Sequence, residues 1–277
     1  MDGSKALIGS IHHGGSFWDL KKKERLYNWN HQNGKMSSLR AVAISKNGRR
    51  AVTCEEDNLV LWDANTGEYK QFWQADDRIL SIALNDKGDR ALMGLRNGTV
   101  SYFDLDKGIA IHNFKHLAEV RNVSLSKDGL TGISASDDKT VKVFDLKNGK
   151  EIQTKTLKNQ IKIIAISDSG SKAFATAQRE DSIIWDITSD TTLYKKHNRV
   201  TNFSAADFSD DERYLSLGTF SGGIIRLDIN AGTEKQKWQA KPRQAYGSAA
   251  SKAIISLIDE NDTISALTSD GMFEVFQ

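Results

Sequence analysis

His12 and His13 adjoin in "SIHHGG", and imidazole pairs are common ligands of zinc and related metals. Adjacent residues of an extended chain point to opposite faces, so one ion would need a sharp bend to meet both; a polar turn is the expected role. Asp76 with Asp77, Asp137 with Asp138, and Asp210 with Asp211 are carboxylate pairs of the kind that cleave glycosidic bonds. Each pair lies in a stretch rich in turn-forming residues, where Asp hydrogen-bonds its own backbone, and turn chemistry explains them. Ser169 to Lys172 spells Ser-x-x-Lys, a pattern of acyl-transfer enzymes, but it sits between two strand-like segments with no helix to align the pair. No phosphate loop, Gly-x-Ser-x-Gly elbow or calcium loop occurs, and Cys54 is the single cysteine, which excludes an internal disulfide and a purely thiolate metal site. No catalytic residue, cofactor or metal is expected.

Charge narrows the partners. The 277 residues carry 38 Lys and Arg against 36 Asp and Glu, a formal charge of +2, which supplies no long-range field toward phosphate backbones. Nucleic acid is therefore not an expected partner. No apolar run approaches the roughly 18 residues that span a bilayer, and the first residues lack the basic and apolar regions of an export signal. The chain as written is expected to be a cytoplasmic monomer with no membrane insertion of its own. It would be periplasmic or lipid-anchored in the cell envelope if native residues upstream carried an export signal.

The elements that position these residues repeat. "GSFWDL", "LVLWDA", "VSYFDL", "VKVFDL", "SIIWDI" and "IIRLDI" place a large apolar residue before Asp19, Asp63, Asp104, Asp145, Asp186 and Asp228, at spacings of 44, 41, 41, 41 and 42. A seventh copy, "GMFEVFQ", ends at Gln277 after a spacing of 49, the extra length lying in "QAKPRQAYGSAAS" around the only proline, Pro242. Turns such as "SKNGRR" and "SKDGLT" precede each copy, and between the marks run short alternating segments rich in β-branched residues, among them "LRAVAIS" and "IKIIAIS". Four strands in about 41 residues is the pattern of a propeller blade.

The copy "HLAEVRNVSLSKDGLTGISASDDKTVKVFDL", beginning at His116, resembles the WD-repeat family, and the resemblance covers essentially the whole chain. It implies an all-β, seven-bladed β-propeller in a single domain spanning 1–277. It also implies a buried hydrogen-bond series from a loop His through a second-strand Ser or Thr to a turn Asp and a third-strand Trp. His116, Ser134 and Asp138 match, with Phe144 in place of the Trp; His31, Thr53, Asp57 and Trp62 match in the second blade, once one residue is deleted after Asp57 and the loop after His31 is lengthened. Arg40, Arg121 and Lys162 share one position in the first strands of blades two, four and five. With Arg78 and Arg199 in neighbouring loops they form a candidate interaction rim on the face of the loop histidines, balanced by Asp76, Asp77 and Glu119.

In WD-repeat relatives that rim is where peptides and protein segments bind, so the resemblance implies a noncatalytic protein-interaction platform. The alternative is a propeller enzyme or small-molecule or metal binder of the quinoprotein or lactonase type, using the central channel. "GSIHHGGSFWDL" is also similar to the first repeat of bacterial WD-repeat lipoproteins. Aligned with "KNGRRAV", the opening "MDGSKAL" falls in the turn between the first two strands of blade one, so the first strand of that blade and the last strand of blade seven are missing. Burying about three apolar side chains of one strand is worth roughly 5 to 9 kcal/mol, comparable to the net stability of a domain. Met1 is accordingly expected to be a truncation point or a mis-assigned start, with roughly 25 or more native residues before it.

Overall fold

The computed structural model describes residues 4–31, 36–197, 202–241, 252–260 and 262–277. Strand follows strand throughout these residues, with no helix among them, and each strand pairs antiparallel with its sequence neighbour. The first sheet holds β1 (Lys5–Ser10), β2 (Gly14–Asp19) and β3 (Glu24–Trp29); the second holds β4 (Ala41–Ile44), β5 (Arg50–Glu55), β6 (Asn58–Asp63) and β7 (Tyr69–Gln74). The third is β8 (Ile79–Leu84), β9 (Arg90–Leu95), β10 (Thr99–Asp104) and β11 (Ile109–Lys115), and the fourth β12 (Val120–Leu125), β13 (Thr131–Ser136), β14 (Thr140–Asp145) and β15 (Lys150–Thr156). The fifth is β16 (Ile161–Ile166), β17 (Lys172–Ala177), β18 (Asp181–Asp186) and β19 (Thr192–His197), and the sixth β20 (Phe203–Phe208), β21 (Tyr214–Thr219), β22 (Gly223–Asp228) and β23 (Thr233–Gln239). The seventh is β24 (Ile254–Glu260), β25 (Thr263–Thr268) and β26 (Phe273–Phe276). These are the seven blades of a β-propeller; the first and last have three strands and the others four. The chain divides into two compact units, Met1–Lys155 with four blades and Thr156–Gln277 with three.

Two turns recur, and each explains a feature of the repeat. After the first strand, a buried Ser at 45, 126, 167 and 209 (Asn85 in the third blade) accepts the amide of the residue that opens the next strand, as in Arg50 N–H to Ser45 Oγ at 3.0 Å. Three residues on, the chain takes a left-handed conformation, supplied by Gly48, Gly88, Gly129 and Gly170 and by Glu212 at φ 54°. Glycine is required twice over at Gly88: a Cβ there would also lie 2.8 Å from Arg50 Cβ and 2.9 Å from Ser45 Cβ. In the first six blades the Asp that ends the third strand caps the following turn. Asp63 Oδ1 accepts the amides of Asn65 and Thr66, and Asp104, Asp186 and Asp228 do the same for their turns. Amide donors hold Asp19, Asp186 and Asp228 below the usual carboxylate range.

The core lies between neighbouring sheets within each unit. In the first unit, Leu59 and Leu61 of β6 pack with Ile82 and Leu84 of β8, and Tyr102 of β10 with Leu125 of β12. In the second, Ile184 of β18 packs with Phe208 of β20. Fourth strands are the most exposed, and their inward aromatics anchor them: Trp29 is buried, stacks on Trp62 at 5.2 Å and donates Nε1–H to the Gly67 carbonyl at 3.0 Å.

Candidate functional site

The fourth blade builds its polar network around His116, which precedes β12. Its Nε2 lies 2.7 Å from Ser134 Oγ, and its Nδ1 lies 2.9 Å from Thr140 Oγ1 and 3.2 Å from Asp138 Oδ2. Thr140 spends its hydroxyl hydrogen on Asp138 Oδ1 at 2.6 Å, so Nδ1 carries the imidazole proton and Nε2 accepts from Ser134. Asp138 also accepts the amides of Leu117 and Thr140, both at 2.8 Å. Burial would raise its pKa; the hydroxyl and amide donors outweigh that and hold it at about 2. Burial pushes His116 down against the attraction of Asp138, which keeps the ring neutral. Thr140 was not singled out from the sequence, although a Thr two residues after a turn Asp is the standard partner of such a carboxylate.

Ser, His and Asp in this order form the proton relay of serine hydrolases. Here Ser134 has 0% exposure and sits mid-strand, paired in register with Lys142, so its oxygen faces packed protein. Phe144, also fully buried, fills the Trp position and stacks on Phe114 at 4.2 Å, ending the series at Ser134.

In the second blade, Thr53 Oγ1 lies 2.9 Å from His31 Nε2 and accepts Trp62 Nε1–H at 2.8 Å. Asp57 stands outside this series and accepts from Gln74 Nε2 at 2.9 Å. Turn length is the reason: two residues join β5 to β6, where three join β13 to β14, so Asp57 cannot take the central position of Asp138. His31 Nδ1 is buried with no hydrogen-bond partner among the described residues, its nearest carboxylate being Glu55 Oε2 at 3.8 Å. Burial lowers its pKa against the pull of Glu55.

The rim residues occupy a structural niche. In each of β8, β12, β16, β20 and β24 the register slips at the second residue, leaving Leu80, Arg121, Lys162, Ser204 and Ile255 as bulged residues turned out of the ladder. Arg40 has the same place just ahead of β4, its amide bonded to the Cys54 carbonyl at 3.0 Å. In the first unit Glu56 joins Arg40 (3.2 Å) to Arg78, and Arg121 lies between Glu119 and Asp137, the latter at 2.9 Å. Asp77 pairs with Arg96 at 3.0 Å, and Leu117, two residues before Glu119 in the loop that leads to β12, is 96% exposed. In the second unit Lys162 Nζ donates to Gln160 Oε1 at 2.8 Å. Arg199 lies outside the described residues. The described basic rim residues thus stand in fixed polar contacts, with Glu56 and Asp137 among their partners. His12 and His13 form the tip of the β1–β2 turn, both amides donating to Ser10 Oγ at 3.2 Å, and among the described residues no three His, Cys, Asp or Glu side chains converge as a metal-holding group.

A second polar cluster, in the sixth and seventh blades, was missed in the sequence. Arg226 is 5% exposed and Asp259 1%; they form a two-pronged ion pair, Nη2 to Oδ1 at 2.9 Å and Nε to Oδ2 at 3.1 Å. Ser216 donates to Asp259 Oδ2 at 2.6 Å, and the Tyr214 ring lies 4.2 Å from the Arg226 guanidinium. All three polar residues interrupt apolar positions. Arg226 is the fourth residue of its strand, like Phe17, Leu61, Tyr102, Val143 and Ile184. Asp259 corresponds to Leu84, Leu125, Ile166 and Phe208, and Ser216 to Val52, Leu92, Ile133 and Phe174. The aligned copy "IIRLDI" carried the signal, an Arg where every other copy is apolar.

Residues 13–260 match the family described as the NWD2 C-terminal beta-propeller. Autophagy-related protein 16 of Arabidopsis thaliana is 20% identical over 207 residues, 72% of this chain and 41% of that protein. WD repeat-containing protein SL1-17 of Schistosoma mansoni is 40% identical over 72 residues, 26% of this chain and 24% of that protein. Eukaryotic translation initiation factor 3 subunit I of Aspergillus fumigatus is 25% identical over 248 residues, 81% of this chain and 71% of that protein. The chain therefore spans less than half the length of the first two. All three relatives are eukaryotic, and none is described as a bacterial lipoprotein.

Proposed function

We propose, from the premise that the chain belongs to the NWD2 C-terminal β-propeller family, that it is a noncatalytic protein-interaction platform binding a protein or peptide at the ends of its first strands. The observation that carries this reading is the bulge position. It turns a side chain out of the ladder in blade after blade, and in the first unit it presents Arg121, beside the exposed Leu117, in a geometry fixed by Glu119 and Asp137. Preordered polar groups around an exposed apolar residue lose little side-chain entropy on binding, which favours recognition. Similarity to a protein named as an initiation-factor subunit, which works within an assembly, supports the same reading.

The test is affinity capture with the wild-type chain and with the triple variant Arg40→Gln, Arg121→Gln, Lys162→Gln. Neutral replacement is preferable to charge reversal, which would set like charges against Glu56, Glu119 and Asp137. A partner retained by the wild type is expected to be lost at least tenfold by the variant, with melting temperature unchanged. Equal retention by both proteins contradicts the proposal.

A further inference from the structure

Phe220 is 58% exposed and Ile255 51%, and both stand at the end of the second unit where its first strands begin. In each blade there, the turn between the second and third strands meets the start of the first: Gln178 N–H donates to the Gln160 carbonyl at 3.1 Å, Phe220 N–H to that of Asn202 at 3.3 Å and Ser269 N–H to that of Ala253 at 2.8 Å. Phe220 directly follows its second strand, a place held by Arg96, Asp137, Gln178 and Ser269 in other blades. Nothing in the turn calls for an aromatic ring. Its conformation is set by Gly222 at φ 84° and by the Thr219 hydroxyl oxygen, which accepts Gly223 N–H at 2.8 Å. Ile255 is the bulged residue where Arg121, Lys162 and Ser204 stand elsewhere. The two apolar side chains belong to one neighbourhood. The Ser204 hydroxyl donates to the Ile254 carbonyl at 2.7 Å, and the turn of Phe220 presses on the chain ahead of β24, where a Cβ on Gly222 would lie 2.9 Å from the Lys252 carbonyl oxygen. Bulky apolar groups held in solvent, at places that polar residues fill elsewhere, mark a contact surface.

Positive charge is in surplus around them. Glu180 takes the amides of Lys158 and Asn159, all at 2.9 Å, Asp181 holds Lys195 at 3.0 Å and His197 at 2.9 Å, and Asp270 accepts the Thr268 hydroxyl. Glu274 lies against Lys241, whose amide it accepts at 2.8 Å. With Asp181 set against Lys195 and Glu274 against Lys241, the cations Lys158, Lys162, Arg179 and Lys252 face only Glu180 and Asp270 among the described residues at this end. Lys158, Arg179 and Lys252 form no ion pair among the described residues.

We infer that this end of the second unit binds a partner protein through a segment that carries acidic residues on both sides of a bulky apolar one. Phe220 and Ile255 receive the apolar side chain. Arg179 in the fifth blade and Lys252 ahead of the seventh flank Phe220 in blade order, and they hold the carboxylates; the guanidinium of Arg179 can meet one with two parallel donors. Apolar contact supplies most of the affinity, and the charges decide which segment enters. The inference rests on the reading that the first-strand ends meet a protein, and it gives the chemistry of the segment that docks.

The test uses the full chain and three peptides carrying a neutral dye, Gly-Glu-Glu-Phe-Glu-Glu-Gly, Gly-Glu-Glu-Ser-Glu-Glu-Gly and Gly-Lys-Lys-Phe-Lys-Lys-Gly, followed by fluorescence anisotropy. The Glu-Phe peptide should bind at least tenfold more tightly than either of the others. Phe220→Ser should weaken the Glu-Phe peptide about tenfold and leave the Glu-Ser peptide unchanged, whereas the double variant Arg179→Gln, Lys252→Gln should weaken both acidic peptides. Phe220 and Arg179 are exposed and Lys252 half-buried, so unchanged melting temperatures will show that the fold is intact. No binding of the Glu-Phe peptide by the wild type, equal binding of all three peptides, or no effect of Phe220→Ser overturns the inference. Phosphatidylserine vesicles held more tightly than the Glu-Phe peptide, and released by Phe220→Ser, would assign the surface to a membrane instead. Failure here is distinguishable from failure of the rim reading: a captured partner lost by the rim variant but kept by Phe220→Ser upholds the rim and overturns this inference alone.

Discussion

Asp138 shows how one side chain holds a loop, a turn and a strand together. It takes the amides of Leu117 and Thr140 and the Thr140 hydroxyl, and it steadies His116. Its pKa of about 2 lies below the ordinary 3.8, so the unfolded chain binds more protons between those values. The stabilisation is therefore fully present above pH 3.8 and is lost as pH falls toward 2, by roughly 2 kcal/mol in all. Asp138→Asn should be less stable than the wild type by about that amount at pH 7, and the gap should shrink toward zero at pH 2 to 3, as measured by urea unfolding. A gap independent of pH would contradict the role given to the ionised carboxylate. His116, Ser134 and Asp138 were legible because a motif of fixed spacing contains them. Asp57 misled because its motif is one residue short, and one residue in a hairpin changes which atoms the turn can reach.

Among the elements, the hairpins were legible and the contacts between sheets were not. Ser, Gly and Asp fell at constant offsets, and each has a local reason that the sequence carries within a few residues: an accepting hydroxyl, a left-handed backbone, a capped turn. The pairing of Arg40 and Arg78 through Glu56 depends on two loops from different blades, which no local rule brings together. The seam between the sixth and seventh blades shows the same limit, since Arg226 and Asp259 are 33 residues apart. Breaking that pair singly, with Asp259→Leu, should destabilise the protein by about 3 to 5 kcal/mol, because Arg226 is left buried and unpaired. The triple change Ser216→Val, Arg226→Leu, Asp259→Leu restores the apolar pattern of the other seams and should recover the wild-type stability or exceed it. Thermal unfolding of the two variants compares them directly. A triple variant no better than the single one would mean that the cluster is needed for the fold itself.

For the molecule as a whole, the sequence was most informative where it repeats. Copies at spacings near 41 specified blades and their number, because every blade meets the same packing problem and solves it with the same residues. Function was less legible, since the bulge position recurs while its side chain changes from blade to blade, Arg121 and Lys162 in two and Leu80, Ser204 and Ile255 in others, and Leu117 stands where Asp76 and Lys158 stand in neighbouring blades. The near-balance of 38 basic and 36 acidic residues fits a surface of local, paired charges. The central claim is that a protein partner is engaged through the ends of the first strands. Hydrogen exchange of the chain, alone and with a partner recovered by affinity capture, tests it most directly. The account predicts slowed exchange at residues 78–80 and 117–122, with the fourth strands β7, β11 and β15 unchanged. Protection confined to those fourth strands, with none at the first-strand ends, would contradict it.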